Sequence, residues 1–311
     1  MQISIQTGGT LSALGIEAGM RAIAEAGFDA VDLTLDFPMK WDDVAAGKEN
    51  EAYRDENIYP YLDKVKAEAD KHGITFCQAH APAPLYVKES PKASENIQGY
   101  ARKCVEFCAY VGCPRLVIHP LFDGSARFPK FTREEEYKIN IDYYSSLIPL
   151  LKKHGVICCL ENMWIRDWRS KKIYEGACSD LGTVVSYIDE LNAMAGEKCF
   201  GFCLDIGHLI LLGQDPCYWI EKLGNRLEML HVHDNDGVED DHTLPFLGCA
   251  NWERIILGLR KTGYSGNFSF EVNMGAFPNE LIPSLLNIMG DMGRYFRGRI
   301  TAETDATDKY R

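Results

Sequence analysis

The sequence predicts one closed (β/α)8 barrel of the TIM type. Three observations predict it. Eight short apolar runs alternate with segments of helical periodicity along the 311 residues, and continuous apolar strands separated by helices mark a parallel sheet covered by helices. That length accommodates eight β/α units as a single domain. An open doubly wound sheet, the alternative architecture, lacks its expected Gly-x-Gly-x-x-Gly after the first strand, where only Thr7-Gly-Gly-Thr10 stands.

The units follow in order. Gln2–Gln6 is the first strand, a helix over 16–26 is stopped by Gly27, and 28–35 is the second strand. Residues 37–59, rich in Asp, Glu and Asn, form a polar excursion outside the barrel. Helical periodicity returns over 61–72, with Gly73 as its stop signal. The third strand, 74–80, ends at Ala81-Pro-Ala-Pro84, which cannot continue it. A helix over 94–111 leads to the strand 115–120, a helix over 133–154 to the strand 156–162, and a helix over 179–195 to the strand 200–205. A short helix over 218–223 precedes the strand 227–233; a helix over 252–262 separates it from the strand 267–272, and the last helix spans 280–296. The barrel is expected as one domain over 1–297, with 298–311 a polar, frayed tail.

Hydrophobic residues make up 46% of the chain, ample for a core. No apolar run reaches the roughly 18 residues of a membrane span. The segment from Met1 to Thr7 has neither the charged nor the hydrophobic region of a leader, so a cytoplasmic protein is expected. The 11 cysteines are scattered, several inside apolar runs, with no Cys-x-x-Cys pair, and Cys158 and Cys159 point to opposite faces of a strand. They read as reduced core residues. A net charge of −12 disfavours nucleic acid, whose phosphates are met by Lys and Arg, and no basic, aromatic-interleaved loop that would grip a duplex is singled out.

Polar residues close the strands. Strands three to eight end at His80, His119, Glu161, Asp205, His231 and Glu271, and in a barrel those ends meet at one mouth. His231 and His233, two residues apart, share a strand face, and Asp240 and His242 follow in the next loop. A lone histidine is ordinarily a satisfied core group, and a strand-end Asp is often a helix cap. Glu161 and Glu271, however, follow apolar runs, where an unpaired carboxylate is expensive and a cation is the natural partner. Mixed nitrogen and oxygen donors suit Zn, Mn, Fe or Co better than Ca or Mg.

Leu160-Glu-Asn162, Leu204-Asp-Ile-Gly-His208, His231-Val-His-Asp-Asn235, Asp240-Asp-His-Thr-Leu-Pro245 and Phe270-Glu271 resemble the xylose isomerase-like TIM-barrel superfamily. That group includes sugar phosphate isomerases and epimerases, D-tagatose 3-epimerase-like enzymes, inosose-processing enzymes and, more distantly, endonuclease IV. The resemblance implies one divalent ion, Mn or Zn, held by Glu161, Asp205, His231 and Glu271, with His208 contacting substrate. Endonuclease IV implies additional ligands, matching His80, His119, His208, Asp240 and His242, for up to three zinc ions. Two features depart from the family pattern: its Pro-Gly-x-Gly reads Pro245-Phe-Leu-Gly248, and an Arg that some ketose epimerases carry there has no equivalent in 234–248.

The expected function is therefore a metal-dependent sugar isomerase or epimerase working by proton transfer through an enediolate. The alternative is a metal-dependent hydrolase or lyase on the same site, including an endonuclease IV-like phosphodiesterase. Glu161 and Glu271 are the expected acid and base. His208, His80, His119, His233 and Trp164 are the expected substrate contacts, with Trp164 against the sugar's apolar face and His233 alternatively behind a metal ligand. No Gly-rich phosphate nest is found, so a free sugar, a polyol-derived ketone or a glycoside is expected as substrate. Neither nucleic acid nor membrane is an expected partner, and assembly as a homo-oligomer is left open.

Overall fold

The protein is described by a computed structural model covering residues 1–125, 127 and 129–302. Its main sheet is a closed barrel of eight parallel strands: Gln2–Gln6, Ala30–Thr34, Thr75–His80, Arg115–Val117, Ile157–Glu161, Phe200–Asp205, Leu227–Val232 and Asn267–Phe270. Ile3 pairs with Phe268 and Ser4 with Ala30, so the first strand joins the last to the second and no edge stays open.

Side-chain parity decides what each face of the barrel holds. Ile3, Phe202, Leu204, Leu230, Phe268 and Phe270 pack in the large core shared with the helices. Val117, Cys159, Cys203 and Met229, of the opposite parity, form a small separate apolar cluster. Two residues further along, that same parity delivers His119, Glu161, Asp205 and His231 to the mouth. Cys158 lies in the outer core and Cys159 in the inner cluster, on opposite faces as expected. All the cysteines are free thiols, and Cys249 is the exposed one.

Local signals place most helices. Thr132 and Glu135 form a reciprocal capping box at the start of Arg133–Ser145, and Asp55–His72 ends at Gly73, whose φ of 70° suits glycine. The single helix expected over 133–154 is two, Arg133–Ser145 and Ile148–His154. Pro149 supplies no N–H to continue the ladder back to Ser145. The excursion 37–59 contains the helix Trp41–Ala45, a short turn of helix at Glu51–Tyr53 and the start of Asp55–His72, which runs through Pro60.

Three elements go beyond the sequence expectation: the helix Thr7–Leu14, the antiparallel hairpin Trp164–Arg166 with Ile173–Glu175, and the helix Ile206–Leu211. Gly8-Gly9 in the first of these reads locally as a turn. A Cβ on Gly9 would lie 2.7 Å from Met274 Cβ, so glycine there permits close approach to the segment beyond the last strand. The last helix runs over Ile282–Thr301, so the tail expected from 298 begins as helix; residues 303–311 lie outside the described residues. Among the described residues no helix is long and apolar enough to cross a membrane.

Candidate metal centre

The carboxyl ends of the strands open into a cavity of about 430 Å³, whose walls include Gln6, Asp36, His80, His119, Glu161, Trp164, His208, Asp240, His242 and Glu271. At its floor Glu161, Asp205, His231 and Glu271 each offer a ligand atom, all within 4.8 Å of one another. His231 Nδ1 lies 2.9 Å from Glu161 Oε1 and 3.0 Å from Glu271 Oε2. The other expected ligands gather in two neighbouring groups: His80 and His119 with Glu161, and His208, Asp240 and His242 with His233.

Backbone carbonyls aim three of the imidazoles. His80 Nδ1–H donates to the carbonyl of Ala81 at 2.7 Å, His208 Nδ1–H to that of Asn162 at 2.7 Å, and His242 Nδ1–H to that of Glu271 at 2.8 Å. A carbonyl only accepts, so each Nδ1 carries the proton and Nε2 is turned elsewhere. For His208 and His242 that atom faces Asp240 at 3.3 Å, and for His80 it faces His119 Nε2 at 3.0 Å. Such outer hydrogen bonds are how proteins orient metal-binding histidines.

His231 is turned the other way, with Nε2 3.2 Å from Asp32 Oδ2 and Nδ1 toward the glutamates. Asp32 is fully buried, and its Oδ2 also accepts from Gln78 at 2.8 Å. Sequence reasoning misses Asp32, and it misses Gln6, whose amide donates to Glu271 Oε1 at 2.7 Å. The only signal was their parity, since Asp32 and Thr34 alternate with apolar Val31 and Leu33. Asp32→Ala is expected to weaken Mn binding about 10–100-fold, the usual cost of losing a partner behind a ligand. Competition with a chromogenic chelator measures this, and an unchanged affinity removes Asp32 from that role.

Proximity overrides burial in setting the charges. Burial disfavours the imidazolium of His80, yet the neighbouring Glu161 carboxylate, 3.7 Å away, lifts the pKa to about 9. Against burial, Asp205 and Asp240 lift His208 to about 10, and Asp240 lifts His242 to about 9. Burial pushes Glu161 and Glu271 upward, but His231 holds both below the usual carboxylate range.

The residues fit a divalent ion. Among the described residues, Glu161 Oε2 stands 3.0 Å from His119 Nε2 but makes no well-directed hydrogen bond, and Asp240 Oδ1 is likewise buried without a partner. Buried carboxylate oxygens short of donors are what a cation satisfies, displacing protons from the imidazoles as it binds.

The remaining motif residues build the frame. Asn162 accepts from the Asp205 N–H and donates to the Asp205 carbonyl, both at 2.9 Å. Asp205 in turn caps the helix Ile206–Leu211 by accepting from the His208 N–H at 2.7 Å. Trp164 lines the cavity and donates Nε1–H to Asp240 Oδ2 at 3.0 Å. His233, expected among the substrate contacts, does not reach the cavity: it is fully buried, bonds Asp205 Oδ1 at 3.0 Å and stacks on His242 at 3.7 Å. It stands behind a candidate ligand, the alternative the sequence allowed. Asp234 accepts from the N–H groups of Asn235, Phe246 and Ala250 and from Trp252 Nε1, knitting the loop that carries Asp240 and His242. In that loop Phe246 adopts a φ of 74° at the position where the family pattern has glycine. That left-handed backbone costs a non-glycine residue about 1–2 kcal/mol, and the ring stacks on Phe296 at 5.3 Å.

The xylose isomerase-like TIM barrel family matches residues 20–291, and the chain belongs to it. A stretch of 77 residues is 38% identical to protein y4fM of Sinorhizobium fredii, a match spanning 25% of either chain. The fold superimposes on a D-tagatose 3-epimerase-like protein with a TM-score of 0.65 at 20% identity, over 94% of this chain and 99% of that one. It superimposes on the IolI protein, solved with a bound zinc atom, with a TM-score of 0.72 at 15% identity, over 97% and 100% of the two chains. At those identities the likeness establishes the shared barrel.

Proposed function

We propose that this chain is a divalent-metal-dependent sugar isomerase or epimerase. The observation that carries the reading is the pair Glu161 and Glu271, both within 3.0 Å of His231 Nδ1 at the floor of the mouth cavity. An ion held by Glu161, Asp205, His231 and Glu271 would polarise the carbonyl and neighbouring hydroxyl of a bound sugar. Glu271 takes the proton from the carbon beside the carbonyl, leaving an enediolate, and Glu161, itself ionised at rest, relays a proton taken up from solvent to the other side. Gln6 donates to Glu271 Oε1 and His231 Nδ1 stands 3.0 Å from Oε2, so both oxygens of the base are held in place. His208 and Trp164, both on the cavity wall, orient the sugar. The likeness to a D-tagatose 3-epimerase-like protein and to zinc-bound IolI supports this reading.

A three-ion phosphodiesterase is the second reading, favoured by the two additional groups of ligand-type residues flanking the first. One experiment separates them: metal stoichiometry by elemental analysis, with solvent deuterium wash-in across a panel of ketoses and inososes. One ion per chain and deuterium at carbon are expected. Three zinc ions, cleavage of abasic DNA and no carbon exchange would transfer the assignment to the phosphodiesterase.

A further inference from the structure

Beyond the metal cavity, cationic side chains of this acidic protein gather at one place. The hairpin after the fifth barrel strand carries Arg166, Arg169, Lys171 and Lys172 against two acids, Asp167 and Glu175, in a chain of net charge −12. Beside it lies a second cavity of about 430 Å³, whose lining includes Lys88, Arg127, Arg166, Trp168 and Arg169 together with one acid, Asp167. Lys88, Arg127 and the hairpin follow the third, fourth and fifth strands. These are the strands that bring His80, His119 and Glu161 to the mouth, so both cavities open on the same end of the barrel. Trp164 lines the metal cavity, and the Arg166 guanidinium bridges outward from it, 5.8 Å from the Trp164 ring and 5.5 Å from that of Trp168.

Two features are costly unless a ligand uses them. Trp168 is 70% exposed, although an indole is among the most favourable side chains to bury. Asp167 fixes the turn that presents it, accepting from the Arg169 N–H at 3.0 Å, Ser170 Oγ at 2.8 Å and Arg127 Nε at 2.8 Å. The Arg166 side chain is buried and anchored on Glu239 and the Val238 carbonyl, both at 2.6 Å, yet its Nε–H has no partner among the described residues. A desolvated cationic donor short of an acceptor favours an anion nearby, and a fixed exposed indole favours a flat ring.

We propose that this second cavity is a subsite for the part of a glycoside attached to the sugar: a ring-bearing unit with an anionic carboxylate or phosphate group. The proposal rests on the metal cavity taking a sugar. The ring lies on Trp168 and Arg169 meets the anionic oxygens, while Arg166 and Arg127, paired with Glu239 and Asp167, hold the walls of the subsite.

Calorimetry on the Mn-loaded protein tests it, with phenyl β-D-glucoside, its 4-carboxy analogue and its 4-phosphate analogue as probes. At least one anionic probe is expected to bind about 10–100-fold tighter than the neutral one, the worth of a charge-assisted hydrogen bond, with the preference shrinking as salt rises. In Arg169→Glu the preference disappears while the neutral probe binds as before. Equal affinities in the wild type, or a preference that survives Arg169→Glu, overturns the subsite. So does displacement of the carboxy probe by a short abasic duplex, which would assign the surface to nucleic acid. Failure of the sugar reading looks different: no glucoside binds, but 4-hydroxybenzoate still binds and loses affinity in Arg169→Glu. If neither glucosides nor 4-hydroxybenzoate bind, the subsite is overturned as well.

Discussion

Glu271→Gln is expected to abolish turnover more completely than it abolishes metal binding. Gln keeps the shape of the side chain and one carbonyl oxygen able to ligate, so the ion weakens but still binds at high Mn. What Gln cannot do is accept a proton, and losing a positioned general base costs roughly 10²–10⁴ in rate. Despite its burial, Glu271 is held below the usual carboxylate range by His231, so it is ionised and ready to accept at neutral pH. Gln6 donates to one oxygen at 2.7 Å and His231 Nδ1 stands 3.0 Å from the other, which fixes the carboxylate in the cavity. The measurement is exchange of the substrate's carbon-bound proton in a mutant titrated with Mn to saturation. Exchange that returns to near the wild-type rate would make Glu271 a ligand only and move the base to another residue, Glu161 first.

The fold was legible because each strand carries its own address. Short apolar runs mark strands, and strand ends in a barrel converge whatever lies between them. That is why His80, His119, Glu161, Asp205, His231 and Glu271 could be grouped from sequence and meet within the structure. What escaped lay in contacts that no local pattern records. Asp32 reaches His231 across 199 positions of sequence, and Gln6 reaches Glu271 across 265. Both sit on the first two strands, where no metal-type residue at the strand end drew notice. The hairpin at 164–175 escaped for the opposite reason. Trp-Ile-Arg-Asp-Trp-Arg reads as irregular loop, and only antiparallel pairing of Ile165 with Tyr174 makes it a scaffold for a basic, tryptophan-bearing turn. Parity alone placed His231 and His233 on one strand face, yet His233 turns behind the site onto Asp205, and the space for its ring is made by a residue on another element.

That residue is Gly207, and Gly207→Ala is expected to damage both the fold and the metal centre. Helix propensity argues for the opposite outcome, because alanine in a helix is better than glycine by about 1 kcal/mol, and Gly207 lies inside the helix Ile206–Leu211. Sterics decide against it. A Cβ on Gly207 would lie 2.0 Å from His233 Cε1 and 2.4 Å from its Nδ1. The ring has nowhere to yield: its Nε2 sits 3.0 Å from Asp205 Oδ1, and its face lies 3.7 Å from His242. Overpacking of this kind costs about 1–3 kcal/mol, and loss of the hydrogen bond to the Asp205 carboxylate costs about 1.5–3 kcal/mol more. Together these exceed the gain in propensity, so a net loss of about 2–4 kcal/mol is expected from urea unfolding with an unchanged m-value. Mn affinity falls with it, because Asp205 is left without the partner that orients it. The double variant Gly207→Ala with His233→Ala separates the causes. If the clash is responsible, removing the ring recovers part of the stability, so the two changes are non-additive, while Mn binding stays weak for want of the Asp205 partner. A Gly207→Ala protein as stable as the wild type, binding Mn equally well, would show that His233 has room to move and that Asp205 does not depend on it.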